Sequence, residues 1–230
     1  MRTEHGVHQE FSVGRKAGPG LVQVAYYLDS LDDVAVSGGG ALRASDIDEV
    51  SQSPAGGILA DATTGNFRVL GNGYHTRGVN VMVTEPISPG LWVALAYSTG
   101  AALTARDDGT VTLPDVADDL VPEMSRSATL ALKGRVVRTG TKVRASYRWQ
   151  PARMVTAVNP YGAFIDQAYF SCYLRQAIRL GNLLPNGFEA TVDVTNLLAQ
   201  GYRPVRTADG HTLFLAQNPR AVQGGLAFTF

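Results

Sequence analysis

Apolar and polar residues alternate with a period of two in one segment after another. Over 127–138 one face carries Ala128, Leu130, Leu132, Gly134 and Val136, and the other Ser127, Thr129, Ala131, Lys133 and Arg135. After Thr139-Gly140-Thr141 the pattern resumes, with Val143, Ala145, Tyr147 and Trp149 against Lys142, Arg144, Ser146 and Arg148. Over 165–178, Ala168, Phe170, Cys172 and Leu174 oppose Gln167, Tyr169, Ser171, Tyr173 and Arg175. Over 188–195, Phe188, Ala190, Val192 and Val194 oppose Glu189, Thr191, Asp193 and Thr195. Successive side chains of a strand point to opposite faces, so each segment reads as a strand with one apolar and one polar face.

Weaker copies lie upstream. Val7, Phe11 and Val13 oppose His8, Glu10 and Ser12 over 5–15, and Val22, Val24, Tyr26 and Leu28 oppose Gln23, Ala25, Tyr27 and Asp29 over 21–29. Val79, Val81 and Val83 alternate with Asn80, Met82 and Thr84, and Leu91, Val93, Leu95 and Tyr97 follow. The chain closes on Val222, Leu226, Phe228 and Phe230. These make nine long strands. Their connections alternate in length: tight turns at 17–20, 88–90 and 139–141 and a slightly longer one at 181–187, against long segments at 30–77, 99–126, 151–164 and 199–219. The first and last long segments are expected to hold short extra strands, 67–70 and 212–216. Short turns at one end and long loops at the other are the pattern of an outer-membrane barrel, with the long loops extracellular. Length agrees, because ten residues at ~3.3 Å each, tilted ~45°, rise roughly 23 Å, near the ~25 Å apolar band of such proteins. The competing architecture is a soluble β-sandwich. Charged polar faces suited to a wet lumen, and more strands than a small sandwich needs, favour the barrel.

Composition narrows the class. With 20 Lys+Arg against 20 Asp+Glu the formal charge is zero, without the basic surplus of a nucleic-acid binder. A hydrophobic fraction of 45% excludes an acidic disordered tail. The single cysteine, Cys172, excludes an internal disulfide framework and a cysteine-ligated zinc site. No apolar run approaches the ~18 residues of a membrane helix, a criterion that leaves strand-built membrane proteins untouched. The first ten residues carry no apolar signal-peptide core.

The terminal residues Gln223-Gly224-Gly225-Leu226-Ala227-Phe228-Thr229-Phe230 fit the closing strand of bacterial outer-membrane barrels, with alternate aromatics ending the chain. Asp193-Val194-Thr195-Asn196-Leu197-Leu198-Ala199-Gln200-Gly201-Tyr202 resembles the penultimate strand of TonB-dependent outer-membrane receptors, with its V-x-N-L-hydrophobic segment and following tyrosine. Asn218-Pro219-Arg220 stands where that family has a proline–arginine lead-in to the last strand. The resemblance covers 142–230. It extends more weakly over 5–100, through the strand–turn–strand rhythm and Tyr74-His75-Thr76-Arg77-Gly78 entering a strand.

That resemblance implies a barrel of ~22 strands with a plugged lumen, which takes up scarce nutrients with energy from an inner-membrane complex. Residues 1–230 would then be the C-terminal part of an outer-membrane β-barrel, without plug domain or signal peptide. Parity points the same way: nine antiparallel strands start and end in the same direction, so a barrel with a periplasmic C-terminus would begin outside the cell. The expected partners are outer-membrane lipid, the barrel-assembly machinery acting on 223–230, the missing plug and barrel strands, and the energy-coupling complex; no nucleic acid is expected. The alternatives are a small complete barrel with an adhesive or structural role, and an outer-membrane hydrolase.

Catalytic chemistry is not expected, and no residue is assigned as catalytic, cofactor-binding or metal-binding. His5 and His8 are three apart, which on a strand places them on opposite faces. The acid pairs Asp32-Asp33, Asp107-Asp108 and Asp118-Asp119 fall in expected loops, where with Asp209 and His211 they would imitate a water-activating protease. Solvated loop acids are the simpler reading. Cys172, between Phe170 and Leu174, reads as an inert lipid-face residue. The lumen-facing set Lys133, Arg135, Arg144, Arg148, Arg175 and Arg179 would line the wall and contact plug carboxylates or an anionic ligand. Phe170, Leu174, Val192, Val194, Leu226 and Phe228 are expected on the lipid face. Lys133, Arg144, Tyr173, Arg175 and Asp193 are expected on the lumen face.

Overall fold

The nine alternating segments become nine long strands, hydrogen-bonded side by side in chain order. The computed structural model describes residues 4–46, 58–106, 110–111, 113, 115–161, 169–178, 188–207 and 209–228. In chain order the strands are β1 (His5–Ala17), β2 (Gly20–Asp32), β3 (Val34–Gly40), β4 (Ile58–Asp61), β5 (Asn66–Gly71), β6 (Tyr74–Ser88), β7 (Leu91–Ala105), β8 (Thr110–Val111), β9 (Leu120–Arg135), β10 (Lys142–Trp149), β11 (Tyr169–Ala177), β12 (Phe188–Thr195), β13 (Tyr202–Thr207), β14 (Thr212–Ala216) and β15 (Ala221–Phe228). The large sheet runs β1-β2-β6-β7-β9-β10-β11-β12-β15, antiparallel at every step. It is open: β1 and β15 are its two edges, they run in the same direction, and among the described residues they do not pair. The helical segment Val116–Asp119 is a single turn, and among the described residues no helix is long and apolar enough to cross a membrane.

Strand boundaries differ from the alternation in an instructive way. β6, β7 and β9 extend beyond the expected 78–86, 91–98 and 127–138 at the long-loop end, to Tyr74, Ala105 and Leu120. At 101–105 every residue is buried, with Leu103 and Ala105 in the main apolar cluster and Ala102 against Met154 and Val158. Where both faces of a strand are covered, alternation disappears although the strand continues. At its other end β9 stops at Arg135 rather than 138, because the chain is already turning: Val136 donates to the Thr141 carbonyl at 2.8 Å and Gly140 to the Val136 carbonyl at 2.8 Å. The turn expected at 181–187 lies outside the described residues, as do Ala168, Thr229 and Phe230.

The segments expected as separate long loops are the main correction. Residues 67–70 and 212–216 do form strands, β5 and β14, but these join β3, β4, β13 and β8 in one six-stranded sheet, ordered β4-β5-β3-β14-β13-β8. Three distant stretches thus build one cap. Its apolar side supplies Val36, Phe67, Val69, Leu213 and Leu215, which cluster with Leu103, Val116, Leu120 and Val155. The main core of the molecule therefore sits at the long-loop end. Gly65 permits the β4–β5 connection to meet β3: its φ is +68°, and a Cβ there would come within 2.4 Å of the Gly40 carbonyl oxygen.

Asn196, immediately after β12, joins the two sheets. It is fully buried with φ +47°. Its Nδ2 donates to the carbonyls of Gln200 (2.8 Å) and Asn218 (2.9 Å), and its Oδ1 accepts from the Gln200 N–H (2.9 Å). Tyr202, at the start of β13, accepts the Arg220 N–H on its hydroxyl at 2.7 Å. The V-x-N-L…Tyr stretch singled out in the sequence is thus a clamp between the entry to the cap and the approach to β15. Asn196→Ala should destabilise by ~2–4 kcal/mol, since it strands buried backbone groups and places a Cβ residue without local hydrogen bonds at positive φ. Asn196→Gly should recover roughly 1 kcal/mol of this by removing the backbone strain. Urea titration of the two variants measures both.

Candidate functional site

Continuous register carries the two faces of each strand across the large sheet. One cross-strand row reads Val13, Val24, Val81, Tyr97, Ala128 and Trp149; the next Val22, Val83, Leu95, Leu130, Tyr147 and Phe170; a third Leu132, Ala145, Cys172, Val194 and Val222. The intervening rows are polar or small, for example Ala25, Asn80, Ser98 and Ser127. Leu174, Val192 and Leu226 lie on the apolar face and Lys133, Arg144, Tyr173, Arg175 and Asp193 on the other, as the alternation requires. Phe228 stands opposite Phe188 in the register.

Accessibility is inverted relative to polarity. On the apolar face the exposed large residues range from 37% for Val83 and Leu174 to 79% for Val13. On the polar face Ala25, Tyr27, Asp29, Ser98, Ser127, Thr129, Ala131, Ser146 and Arg148 are all buried. A flat, uncovered sheet would expose both faces alike; here the edge strands β1 and β15 do so, while the polar face of the central strands is concave and partly covered.

Part of the inner face is covered by 150–161. The buried Tyr27 hydroxyl lies 2.6 Å from the Thr99 carbonyl oxygen and 3.1 Å from that of Val158, and donates towards both. Gly78 and Gly100 make room for the ring: a Cβ at Gly100 would meet the Tyr27 hydroxyl at 2.2 Å and one at Gly78 its Cζ at 2.5 Å. Thr104 donates to the Arg153 carbonyl at 2.9 Å, and Gln150 Nε2 donates to Gln217 Oε1 at 2.7 Å. His8 also faces inward, 2.5 Å from Asp29 through Nδ1, with its ring 5.1 Å from that of Tyr161. His5 is exposed on the opposite face, so the two histidines do not converge.

The open part of the inner face, at the tight-turn end, is a hollow of about 940 Å³. Trp92, Lys133, Arg144, Tyr173 and Asp193 form one row across its floor, and Arg135 and Lys142 stand opposite each other in the next. Thr84, Ala94 and Ala131 complete the wall towards the strand centres. Neighbouring strands lie ~4.8 Å apart, so Lys133/Arg144 and Arg135/Lys142 are like-charge pairs held face to face. Each such pair costs roughly 1 kcal/mol in bulk water and more beside an apolar wall. Of the basic residues expected on this face, Lys133, Arg135 and Arg144 are brought together. Arg175 faces Lys142 but donates through Nε to Glu189 at 2.6 Å, Arg148 is buried further along beside Tyr169, and Arg179 lies outside the described residues. Strand alternation puts Lys142 on the polar face, although the expected basic set does not include it, and Trp92, which alternates with Leu91 and Val93, is not among the expected residues. The hollow that groups them with the arginines depends on the shape of the sheet.

The cap holds a second polar cluster, around His211. Its Nδ1 contacts Asp209 and lies 2.7 Å from the Thr207 hydroxyl, while its Nε2 lies 3.2 Å from Asp46. Arg43 donates to Asp209 at 2.6 Å through its guanidinium, and to Asp46 at 2.7 Å through its backbone N–H. A hydroxyl–imidazole–carboxylate relay needs the hydroxyl and the carboxylate on opposite ring nitrogens. Thr207 and Asp46 do lie on opposite ring nitrogens, but the Thr207 hydroxyl is buried and donates to Asp209 at 2.6 Å, so it is not presented as a nucleophile and the cluster ties the β13–β14 turn to residues 43–46. Asp107 and Asp108 lie outside the described residues. Among the described residues no group of three or more His, Cys, Asp or Glu could hold a metal ion. Comparison with protein families, curated proteins and solved structures finds no match for this chain.

The Thr207 hydroxyl first, and then His211 and Arg43, hold the Asp209 carboxyl well below the usual carboxylate range. A depressed value in the folded state stabilises the cap above the unfolded carboxylate's titration, and that contribution is lost as pH falls through it towards the folded value. The cap should therefore loosen below about pH 4, and Asp209→Asn should lower its stability at neutral pH while flattening the acid limb. Denaturation midpoints measured from neutral to acidic pH test both parts.

Proposed function

We propose that this chain is the C-terminal barrel segment of an outer-membrane transporter of the TonB-dependent-receptor type, serving nutrient uptake without catalysis. The inverted sheet carries the reading. Its apolar face is exposed over the nine strands, while the polar face of the central strands β2, β6, β7, β9 and β10 is buried away from the tight turns. In water so large an apolar patch is unfavourable; against a bilayer it is the surface a strand-built membrane protein presents. The strand ends beyond the apolar rows carry the cap, which would stand on the extracellular side.

The edges argue for a larger assembly. Unpaired backbone groups on β1 and β15 are costly in hydrocarbon, where each must find a partner. Because the two edges run in the same direction, antiparallel closure needs an odd number of further strands between them. Additional barrel strands satisfy this, and the resemblance of 193–202 and 223–230 to the receptor family supplies their source. The plug, the barrel-assembly machinery and the inner-membrane coupling complex are partners of that full-length protein. A small complete barrel with an adhesive or structural role is the second reading, and it requires β1 to meet β15 directly.

Two measurements bear on these readings. In vesicles with brominated acyl chains, Trp149, on the apolar face, should be quenched in a Trp92→Phe variant. Trp92, on the polar face, should resist bromolipid in a Trp149→Phe variant and respond to aqueous iodide. Equal quenching of both, or none, would remove the membrane reading. Refolded alone in detergent, the chain should keep its sheet but remain protease-sensitive along the open edges β1 and β15; a heat-modifiable monomer resistant to protease at both edges would select the small barrel.

A further inference from the structure

We propose that the hollow at the tight-turn end of the polar face binds a small solute bearing two or more oxyanion charges, such as a phosphate ester or a polycarboxylate. Lys133, Arg135, Lys142 and Arg144 would supply the positive field, with Trp92 and Tyr173 as flanking rings. The proposal deepens the transporter reading and rests on it for the solute's destination, whereas the hollow itself depends only on the sheet.

Charge density carries the argument. The four cations come from two adjacent strands and two adjacent rows, and they stand directly opposite one another in pairs. The hollow's lining includes one carboxylate, Asp193, beyond Tyr173 at the far end of the row. Arg175 shows the contrasting solution on the neighbouring strand, where Glu189 neutralises it. A like-charged cluster on a folded wall weakens the sheet unless a counter-charge offsets it. A multiply charged anion does so at one stroke, and guanidinium forks match the geometry of phosphate and carboxylate oxygens. The volume of about 940 Å³ admits a solute of metabolite size. A lipid headgroup would arrive from the opposite side, because the acyl-chain surface is the other face of the sheet. The free solute is therefore the source favoured over the headgroup.

The test uses the full chain with Trp149→Phe, so that Trp92 is the sole indole. Its fluorescence is titrated with inorganic pyrophosphate, citrate and acetate at matched ionic strength. Pyrophosphate and citrate should give saturable changes and acetate none. Lys133→Gln with Arg144→Gln should weaken pyrophosphate binding at least tenfold, while Arg77→Gln, exposed on the opposite face of β6, should leave it unchanged. Pyrophosphate should also raise the urea midpoint of the parent and not of the double variant, whose own midpoint should rise because repulsion is relieved. If the double variant fails to refold, Arg135→Gln and Lys142→Gln singly should each weaken binding. A linear response, equal losses in the hollow and control variants, or a response only to micelles carrying anionic lipid would overturn the proposal. So would binding only of an acidic peptide. A failed titration leaves the bromolipid result standing, and the reverse holds equally.

Discussion

Register in the large sheet is the constraint on which the other features depend. Side chains alternate with a period of two, so a slip of one residue at any interface would send the apolar rows of every later strand to the polar face. Nine strands keep their apolar residues in common rows from Val13 and Val24 to Val194 and Val222. The Pro86/Ser88 irregularity between β6 and β7 falls at the tight-turn end, where it disturbs no central row. From the shared register follow both the exposed apolar face and the convergence of Lys133, Arg135, Lys142 and Arg144 on the other.

The two ends of the sheet are built by different physics. Near the tight turns, the strands are held by backbone pairing, with little buried apolar volume on the inner face, and this leaves the hollow open. At the other end, β7 and β9 run on into an apolar core that includes Leu103, Leu120, Val69 and Leu215. The second sheet, the Tyr27–Val158 contact and the Asn196 clamp all act at that end. The apolar packing of the cap and the open basic hollow thus lie at opposite ends of the same sheet. The like-charge pairs of the hollow fit the same picture, since a wall stabilised elsewhere can tolerate local repulsion.

The His211 cluster shows that catalytic residue types brought together do not by themselves make a catalytic site. Asp209 and His211, two apart in the sequence, do meet, and Asp46 joins them from a distant segment. Their arrangement serves a turn. Thr207 and Asp209 share one nitrogen of the ring, and Arg43 occupies the remaining carboxylate oxygen. The Thr207 hydroxyl and both carboxylates are engaged within the cluster, in contrast to the hollow, where positive charge is left facing open space.

Strand identity and facing were legible in the sequence wherever one face is polar and the other apolar, as in 127–135, 142–149 and 188–195, because a period of two needs no tertiary information. Lys133, Arg135 and Arg144 could be placed on a common face for the same reason, and turns at Gly18, Gly90 and Gly140 were marked by residue type. Alternation could not reveal the continuation of β7 to Ala105, because burial on both sides erases the pattern. Nor could it show that β3, β5 and β14 share one sheet, since the pairing of Val36 with Val69 and of Gly40 with Leu213 is chosen by fit over long separations. The same holds for Asp46 beside His211 and for the hollow as a concave shape. The sequence determined which residues stand on each face of each strand. Only the tertiary structure decided how far the sheet curls and what covers its polar side, because curvature and long-range packing depend on the summed fit of all the strands.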